Sequence, residues 1–256
     1  FITNNENCGN YFFTFSHILI LLIMNFENQL IPGVLIKRYK RFFVDIKLKD
    51  KKITAHCPNT GSMMGLLNPG NKVWVTKSDN KNRKLKYTLQ IIKANNAVVG
   101  VNTHLTNKIV NEALIENRIK EFAFDKTVLK EVKYNQNTRF DFLIKKNKFK
   151  FFVEVKNVTL SRKKGLAEFP DAITLRGAKH IKELMDATEK GYKAFILFVI
   201  QRDDCKNFSI AKDIDNEYSK LLTLASKNKV KVLCYDCKFS TKGIKLGKKI
   251  NINLNG

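Results

Sequence analysis

Between residues 32 and 102 the apolar positions come in short runs rather than long stripes. Val34 to Tyr39, Phe42 to Leu48, Ile53 to Cys57, Lys72 to Thr76, Leu85 to Ile92 and Ala97 to Val101 are rich in β-branched and aromatic residues. Turn-forming segments such as Lys49-Asp50-Lys51, Asn68-Pro69-Gly70 and Asp79-Asn80-Lys81-Asn82 separate them. Five or six short strands with no helical period between them predict a small all-β barrel. Such a barrel can hold nucleic-acid strands on an open face, or serve as scaffold or docking surface; the pattern fits both.

After Thr106 the period changes. Ile109, Val110, Ala113 and Leu114 recur at helical spacing behind a threonine able to cap the first turn. Strands follow at Val128 to Tyr134, Arg139 to Ile144 and Phe149 to Val155. A helix from about Ala178 to Lys190 has Ile181, Leu184, Met185 and Thr188 on one stripe and ends at Gly191. A buried strand at Ala194 to Ile200, a helix near Asp215 to Lys227 and a β-rich tail complete the chain. This order predicts an α/β domain: a mixed sheet flanked by helices. The expected division is residues 24–105 and 106–256, with no internal repeat and no long linker.

Residues 1–23 stand apart. The chain begins with Phe1 and its first methionine is Met24; residues 1–17 carry no Lys or Arg and one Glu, unlike the basic start of a signal peptide. The apolar region from Tyr11 to Met24 is too short to span a bilayer and is interrupted by Ser16 and His17. The expectation is a non-native or disordered extension on a soluble protein without a membrane partner.

Composition adds a partner class. The 256 residues are 44% hydrophobic with 19 Phe, enough for ordinary cores and too much for wholesale disorder. Against 23 acidic residues stand 47 basic ones, a net charge of +24 that suits a polyanion such as nucleic acid. Only 8 of the 47 are Arg, and Asn and Ile are also abundant, so compositional drift explains part of the charge. The five cysteines, few and unevenly placed, point to a reducing, cytoplasmic setting. Cys234 and Cys237 form a CxxC without a second ligand pair, which reads as part of a strand rather than a zinc site.

The segment from Arg139 to Lys156 holds the clearest candidate chemistry. Two apolar strands flank a short polar turn, and each contains an acid. A two-residue loop at Asn147-Lys148 pairs Lys146 with Phe149 and, further along, Asp141 with Glu154. Lys156 then emerges on the face of Glu154, opposite Arg139. Facing carboxylates repel, so the pair invites a divalent cation, and Mg²⁺ prefers carboxylate with phosphate oxygens. The competing reading is a sheet face with ordinary ion pairs. Glu131-Val132-Lys133 repeats the Glu-x-Lys spacing, and Pro170-Asp171 with Asp204-Cys205-Lys206 repeats the fuller pattern without adjacent strands. Two further segments suit phosphate. In His56-Cys-Pro-Asn-Thr-Gly-Ser62, Asn59, Thr60 and Ser62 offer backbone N–H groups and hydroxyls, or simply make a turn. Arg176, Lys179 and His180 sit at a helix N-terminus, where a bound anion would offset the dipole, or form a solvated basic turn.

Five segments together, His56-Cys-Pro-Asn-Thr-Gly-Ser-Met63, Arg139-Phe-Asp-Phe-Leu143, Phe152-Val-Glu-Val-Lys-Asn-Val-Thr-Leu160, Phe169-Pro-Asp-Ala-Ile-Thr-Leu-Arg-Gly-Ala-Lys-His180 and Ile200-Gln-Arg-Asp203, resemble the sugar fermentation stimulation protein A family over about Leu30 to Leu254. The resemblance implies an OB-fold N-terminal domain, a C-terminal domain of the PD-(D/E)xK nuclease type, DNA binding and a regulatory role in sugar (maltose) metabolism in bacteria. Asp141, Glu154 and Lys156 match the nuclease motif as catalytic residues, with Asp141 and Glu154 the metal ligands and Glu112 on the preceding helix in place for the additional acid. Phe140 stands where the motif has proline. Arg139, Asn59, Thr60, Ser62, Arg176, Lys179 and His180 are the expected nucleic-acid contacts. The expectation is a DNA-binding protein with a candidate Mg²⁺-dependent nuclease site. The alternatives are a non-catalytic DNA-binding regulator that keeps the scaffold and a protein-docking adaptor. Nothing in the sequence sets the oligomeric state.

Overall fold

The computed structural model describes Phe26 and residues 28–254, so the extension expected over residues 1–23 lies outside the described residues. The N-terminal part comprises β1 (Ile31–Tyr39), β2 (Phe43–Leu48), β3 (Lys51–His56), β4 (Lys72–Lys77), β5 (Tyr87–Ala94) and β6 (Ala97–Gly100). They pair in the order β3-β2-β1-β4-β5-β6. A parallel bridge from His56 to Thr88 joins β3 to β5 and closes β1 to β5 into a barrel of the OB type. Alternation builds its core: Val44, Ile46 and Leu48 of β2 point inward with Leu35, Val73, Val75, Leu89 and Ile92. Each such fully buried aliphatic chain contributes about 1.5–3 kcal/mol. Strand β1 starts three residues earlier than the pattern predicts, because Pro32 and Gly33 pair with Trp74 and Val73. A Cβ on Gly33 would lie 2.6 Å from both Ile46 Cγ2 and Leu48 Cδ2, so only glycine permits that approach.

A 3₁₀ turn at Thr103–Leu105 leads into α1 (Thr106–Ile115) and the second domain. There follow β7 (Thr127–Lys133), β8 (Arg139–Lys146), β9 (Phe149–Val158), β10 (Leu160–Lys163), β11 (Leu166–Phe169), α2 (Leu175–Glu189), β12 (Lys193–Ile200), β13 (Asn207–Ile210), α3 (Asn216–Lys227), β14 (Lys231–Phe239), β15 (Ile244–Lys249) and β16 (Asn251–Asn253). The main sheet has the order β15-β14-β12-β9-β8-β7, parallel where β12 meets β9 and β14 and antiparallel elsewhere. Its central strand β12 is apolar from Ala194 to Ile200 because both faces are covered there. Phe195, Leu197 and Val199 join the core beneath α1, while Ala194, Ile196, Phe198 and Ile200 join the core beneath α2 and α3.

The sequence pattern predicts one mixed sheet, but β10, β11, β13 and β16 form a second, four-stranded one. Its strands are three or four residues long, too short to show alternation. Helix α2 begins at Leu175 rather than Ala178, because the Thr174 hydroxyl accepts from the Gly177 N–H at 3.0 Å and caps a first turn without apolar signature. The CxxC lies in β14 as expected. Cys234 and Cys237 are unbonded, and they sit in the cores on opposite faces of the sheet, so they cannot share a metal ion. Among the described residues no helix is long and apolar enough to cross a membrane.

Two hydrogen-bonded seams are among the contacts between the domains. Gly100 N–H donates to the Gln201 carbonyl at 2.9 Å, and Val98 N–H donates to Asp203 Oδ1 at 2.8 Å. At the second seam Ser62 Oγ donates to the Asp171 carbonyl at 2.7 Å, and Met63 N–H donates to Asp171 Oδ2 at 3.2 Å.

Candidate functional site

The hairpin of β8 and β9 keeps the expected register from Lys146–Phe149 to Phe142–Val153, where the ladder stops one pair short of the acids. Beyond it the strands fork. Asp141 is not laddered to Glu154; its Oδ2 accepts the Val155 N–H at 2.7 Å, replacing the strand carbonyl that would otherwise take that donor. Phe140 packs into the core under α2, whereas Phe142 packs under α1, so the alternation of β8 breaks at Asp141 itself. On β7 the cause is visible: Glu131, between the paired residues Lys130 and Val132, has φ +50° and drops out of the ladder opposite Asp141.

Three elements hold the two carboxylates. From α1, Asn107 Nδ2 donates to Asp141 Oδ1 at 2.7 Å and lies 3.4 Å from Glu131 Oε1. From β9, Lys156 Nζ donates to Glu154 Oε1 at 2.7 Å. From α2, the buried His180 ring meets the same Glu154 oxygen through Nδ1. Helix α2 is seated against α3 by Gly177, where a Cβ would lie 3.0 Å from the Tyr218 ring. Glu154 is 4% exposed, yet its Oε2 has no hydrogen-bond partner among the described residues. The Tyr218 hydroxyl is likewise buried and unpartnered; burial and then the charge of Glu154 hold it well above the usual phenol range.

The surroundings push the ionisation of the two acids in opposite directions. Burial, then the neighbouring charge of Glu154, push Asp141 up to about 6 against the hydrogen bonds from Val155 and Asn107. Burial would also raise Glu154, but the Lys156 ammonium and His180 hold it below the ordinary carboxylate value. Among the described residues no group of three or more His, Cys, Asp or Glu side chains has ligating geometry, so the protein donors for a cation here are the two carboxylates.

Beside them lies a basic cleft of about 510 Å³ lined by Lys133, Thr138, Arg139, Arg176, Lys179 and His180. The first turn of α2 holds no acid, Lys179 Nζ donates to the Asn137 carbonyl at 2.9 Å, and the buried Thr138 hydroxyl has no partner among the described residues.

The expected residues thus divide. Asp141, Glu154, Lys156 and His180 come together, and Arg139, Arg176 and Lys179 border them. Arg139 pairs with Lys133 on β7 rather than lying opposite Lys156, because the hairpin has forked before it. His180 is buried on Glu154 instead of standing free for phosphate. Glu112 is buried on α1, 2.5 Å from Arg118 Nη2, whose guanidinium also donates to the Leu246 carbonyl; α1 reaches the acids through Asn107. Asn59 and Ser62 use their polar groups inside the protein: Asn59 Oδ1 accepts the Gly61 N–H at 2.8 Å, and Ser62 binds Asp171 across the domain seam, while Thr60 is exposed. Sequence reasoning passed over Asn107, for which no signal exists, and treated Glu131 as a decoy, although extending the pairing of β7 with β8 would have set it beside Asp141.

Comparison with known proteins agrees with this architecture. Residues 36–101 match the SfsA N-terminal OB domain, and residues 104–243 match the sugar fermentation stimulation protein RE domain. The chain is 56% identical over 229 residues to the sugar fermentation stimulation protein homolog of Pelagibacter ubique, covering 90% of this chain and 99% of that one. It is 45% identical over 227 residues to the homolog of a Ruegeria species, with coverage of 88% and 98%. Among solved structures, Pyrococcus furiosus SfsA in complex with Ca²⁺ superimposes with a TM-score of 0.82 at 24% identity, over 90% of this chain and 98% of that one.

Proposed function

The chain belongs to the sugar fermentation stimulation protein family, and on that premise we propose that it is a cytoplasmic DNA-binding protein with a divalent-cation-dependent phosphodiesterase site at Asp141, Glu154 and Lys156. The observation that carries this reading is Glu154 Oε2, a carboxylate oxygen buried without a partner among the described residues, beside a second carboxylate whose ionisation that same charge opposes. Buried carboxylate oxygens otherwise find donors, so a cation is the missing partner. The Ca²⁺ bound by the Pyrococcus relative is in keeping with a divalent ion, and two carboxylates with substrate phosphate oxygens form the donor set Mg²⁺ uses. When bound, the ion would lower the pKa of a water and offset charge developing on the phosphate.

The chain's own groups have separable tasks. Asn107 and the Val155 N–H aim Asp141, while His180 and Lys156 keep Glu154 ionised. Lys156 has further donor capacity to offer a phosphate oxygen. Arg139, Arg176 and Lys179 line a cleft suited to the adjoining backbone phosphates. The family's sugar-metabolism role would follow from where such a protein acts on DNA.

A second reading has its own observation. Lys156 and His180 both engage Glu154 Oε1, an internally compensated network that can stand without a metal. The protein would then be a DNA-binding regulator that keeps the nuclease scaffold. Incubation with single- and double-stranded DNA in Mg²⁺, Mn²⁺ or chelator separates the two. Cleavage that needs metal and disappears in Asp141→Ala supports the first; salt-sensitive binding without cleavage under any metal leaves the second.

A further inference from the structure

A second cavity, of about 460 Å³, lies where the barrel meets the second domain and shares no residue with the cleft of the carboxylate site. Its barrel side is the closing seam: His56 at the end of β3, Thr76 at the end of β4 and Thr88 at the start of β5. The turn before β5 adds Arg83, and the 3₁₀ turn before α1 adds His104.

Its chemistry is one-sided. Lys77, Arg83 and Lys108 line it together with both histidines, against a single acid, Asp79. Among the described residues Arg83 forms no ion pair; its guanidinium donates to Thr88 Oγ1 at 2.8 Å. The His56 and His104 rings face each other with centroids 6.4 Å apart. Burial, then the charges of Arg83 and His104, hold His56 below its usual value.

The floor is fixed and offers donors. Gln90 Nε2 donates to Thr76 Oγ1 at 2.8 Å, Asn102 Nδ2 donates to Gln90 Oε1 at 2.8 Å, and Asn102 Oδ1 accepts the His104 N–H at 3.1 Å. These bonds leave Thr76 and Thr88, both about nine-tenths buried, as acceptors. Their own hydroxyl protons have no acceptor among the described residues, so each can donate into the cavity. A guanidinium, two hydroxyls and two imidazoles are more donors than the two oxygens of a carboxylate can satisfy, and they suit the three terminal oxygens of a phosphomonoester. Phe26 and Leu105 complete the lining with apolar surface for the organic part of such a ligand. The volume is within the ~300–1,000 Å³ of small-molecule sites.

We propose that this cavity is a phosphomonoester-binding site, built from both domains and independent of the carboxylate site, in which Arg83, Thr88, His56 and His104 grip the terminal phosphate. The phosphate could belong to a free mononucleotide or to a 5′-phosphorylated nucleic-acid end, and the test has an arm for each.

The full chain is titrated by calorimetry with inorganic phosphate, adenosine 5′-phosphate, and a short oligonucleotide with and without a 5′-phosphate. Histidine ring protons are followed in parallel by NMR. Saturable one-to-one binding of the mononucleotide that shifts the His56 and His104 resonances supports the proposal, and so do shifts of the same resonances by the phosphorylated oligonucleotide alone, which assign the source to nucleic-acid ends. Arg83→Ala and the isosteric Thr88→Val should each weaken the binding by an order of magnitude or more while leaving the melting temperature within a few degrees. Asp141→Ala should leave it unchanged, which separates failure here from failure of the nuclease reading. No saturable shift of the His56 and His104 resonances by either phosphorylated ligand at millimolar concentration, equal shifts with the unphosphorylated oligonucleotide, or undiminished shifts in both folded cavity variants would overturn it.

Discussion

Replacing Asp141 with asparagine tests the electrostatics of the carboxylate pair without changing its shape. In the folded chain this acid is raised to about 6, against about 3.9 in an unfolded chain. Because the folded state holds the proton more tightly, the contribution of Asp141 to stability is greatest at low pH. It falls as pH rises from about 4 through 6, a total loss of about 3 kcal/mol once both states are ionised. About half of that loss is already present at pH 5. Asparagine carries no charge, so it removes the loss but turns an NH₂ group towards one of two donors, Asn107 or Val155, at a cost of about 1 kcal/mol. In chelator, Asp141→Asn should therefore be more stable than the parent by about 1–2 kcal/mol at pH 8 and no more stable at pH 4. Urea unfolding at several pH values measures the difference. Saturating Mg²⁺ at pH 8 should raise the parent and not the variant, since only the parent offers both carboxylates. A stability difference that stays constant from pH 4 to 8 would refute the reasoning, because it would mean Asp141 ionises as an ordinary surface acid.

The other predictions concern the cleft, the helix that seats His180, and the cysteines. DNA affinity should fall steeply with salt, and Arg176→Ala with Lys179→Ala should weaken binding across all sequences and reduce the slope of log affinity against log salt by roughly one to two; filter binding at several salt concentrations measures both. Alanine at a helical glycine commonly adds up to about 1 kcal/mol, but Gly177→Ala should lower the melting temperature. Its Cβ would lie 2.8 Å from Thr174 Oγ1, the helix cap, and 3.0 Å from the Tyr218 ring. Cys234 and Cys237 are buried and burial raises both thiols, so a thiol reagent should reach them only at the rate of unfolding.

Much of the architecture is written in periodicity, and what is hidden has physical reasons. The barrel strands and the doubly buried β12 are legible because each face of a strand reports its surroundings. The hairpin register is legible too, since the two-residue loop Asn147-Lys148, with Asn147 at φ +51°, fixes every pair up to the fork. The fork itself is not, because it depends on one left-handed residue, Glu131, on a neighbouring strand. Helix α2 looks three residues too short in the sequence because its first turn is held by a cap and not by apolar burial. The second sheet is hidden because its strands are three or four residues long, too short to show a period. At the site, Asp141, Glu154 and Lys156 are legible from strand pairing and from the family resemblance. Asn107 is one polar residue on a helix face, and the turning of His180 inward to Glu154 depends on how α2 packs against α3 through Gly177 and Tyr218, which neither spacing nor composition records.

The claim at the centre of this account is that Asp141 and Glu154 together hold a divalent cation. Titration of the chain with Mn²⁺, read by the loss of the free-ion electron paramagnetic resonance signal, measures it directly. One bound ion per chain is expected, competed by Mg²⁺ and Ca²⁺, and lost both in Asp141→Asn and in Glu154→Gln while each variant remains folded. Equal Mn²⁺ binding by the parent and both variants, or no binding by a folded parent with DNA present, would contradict it.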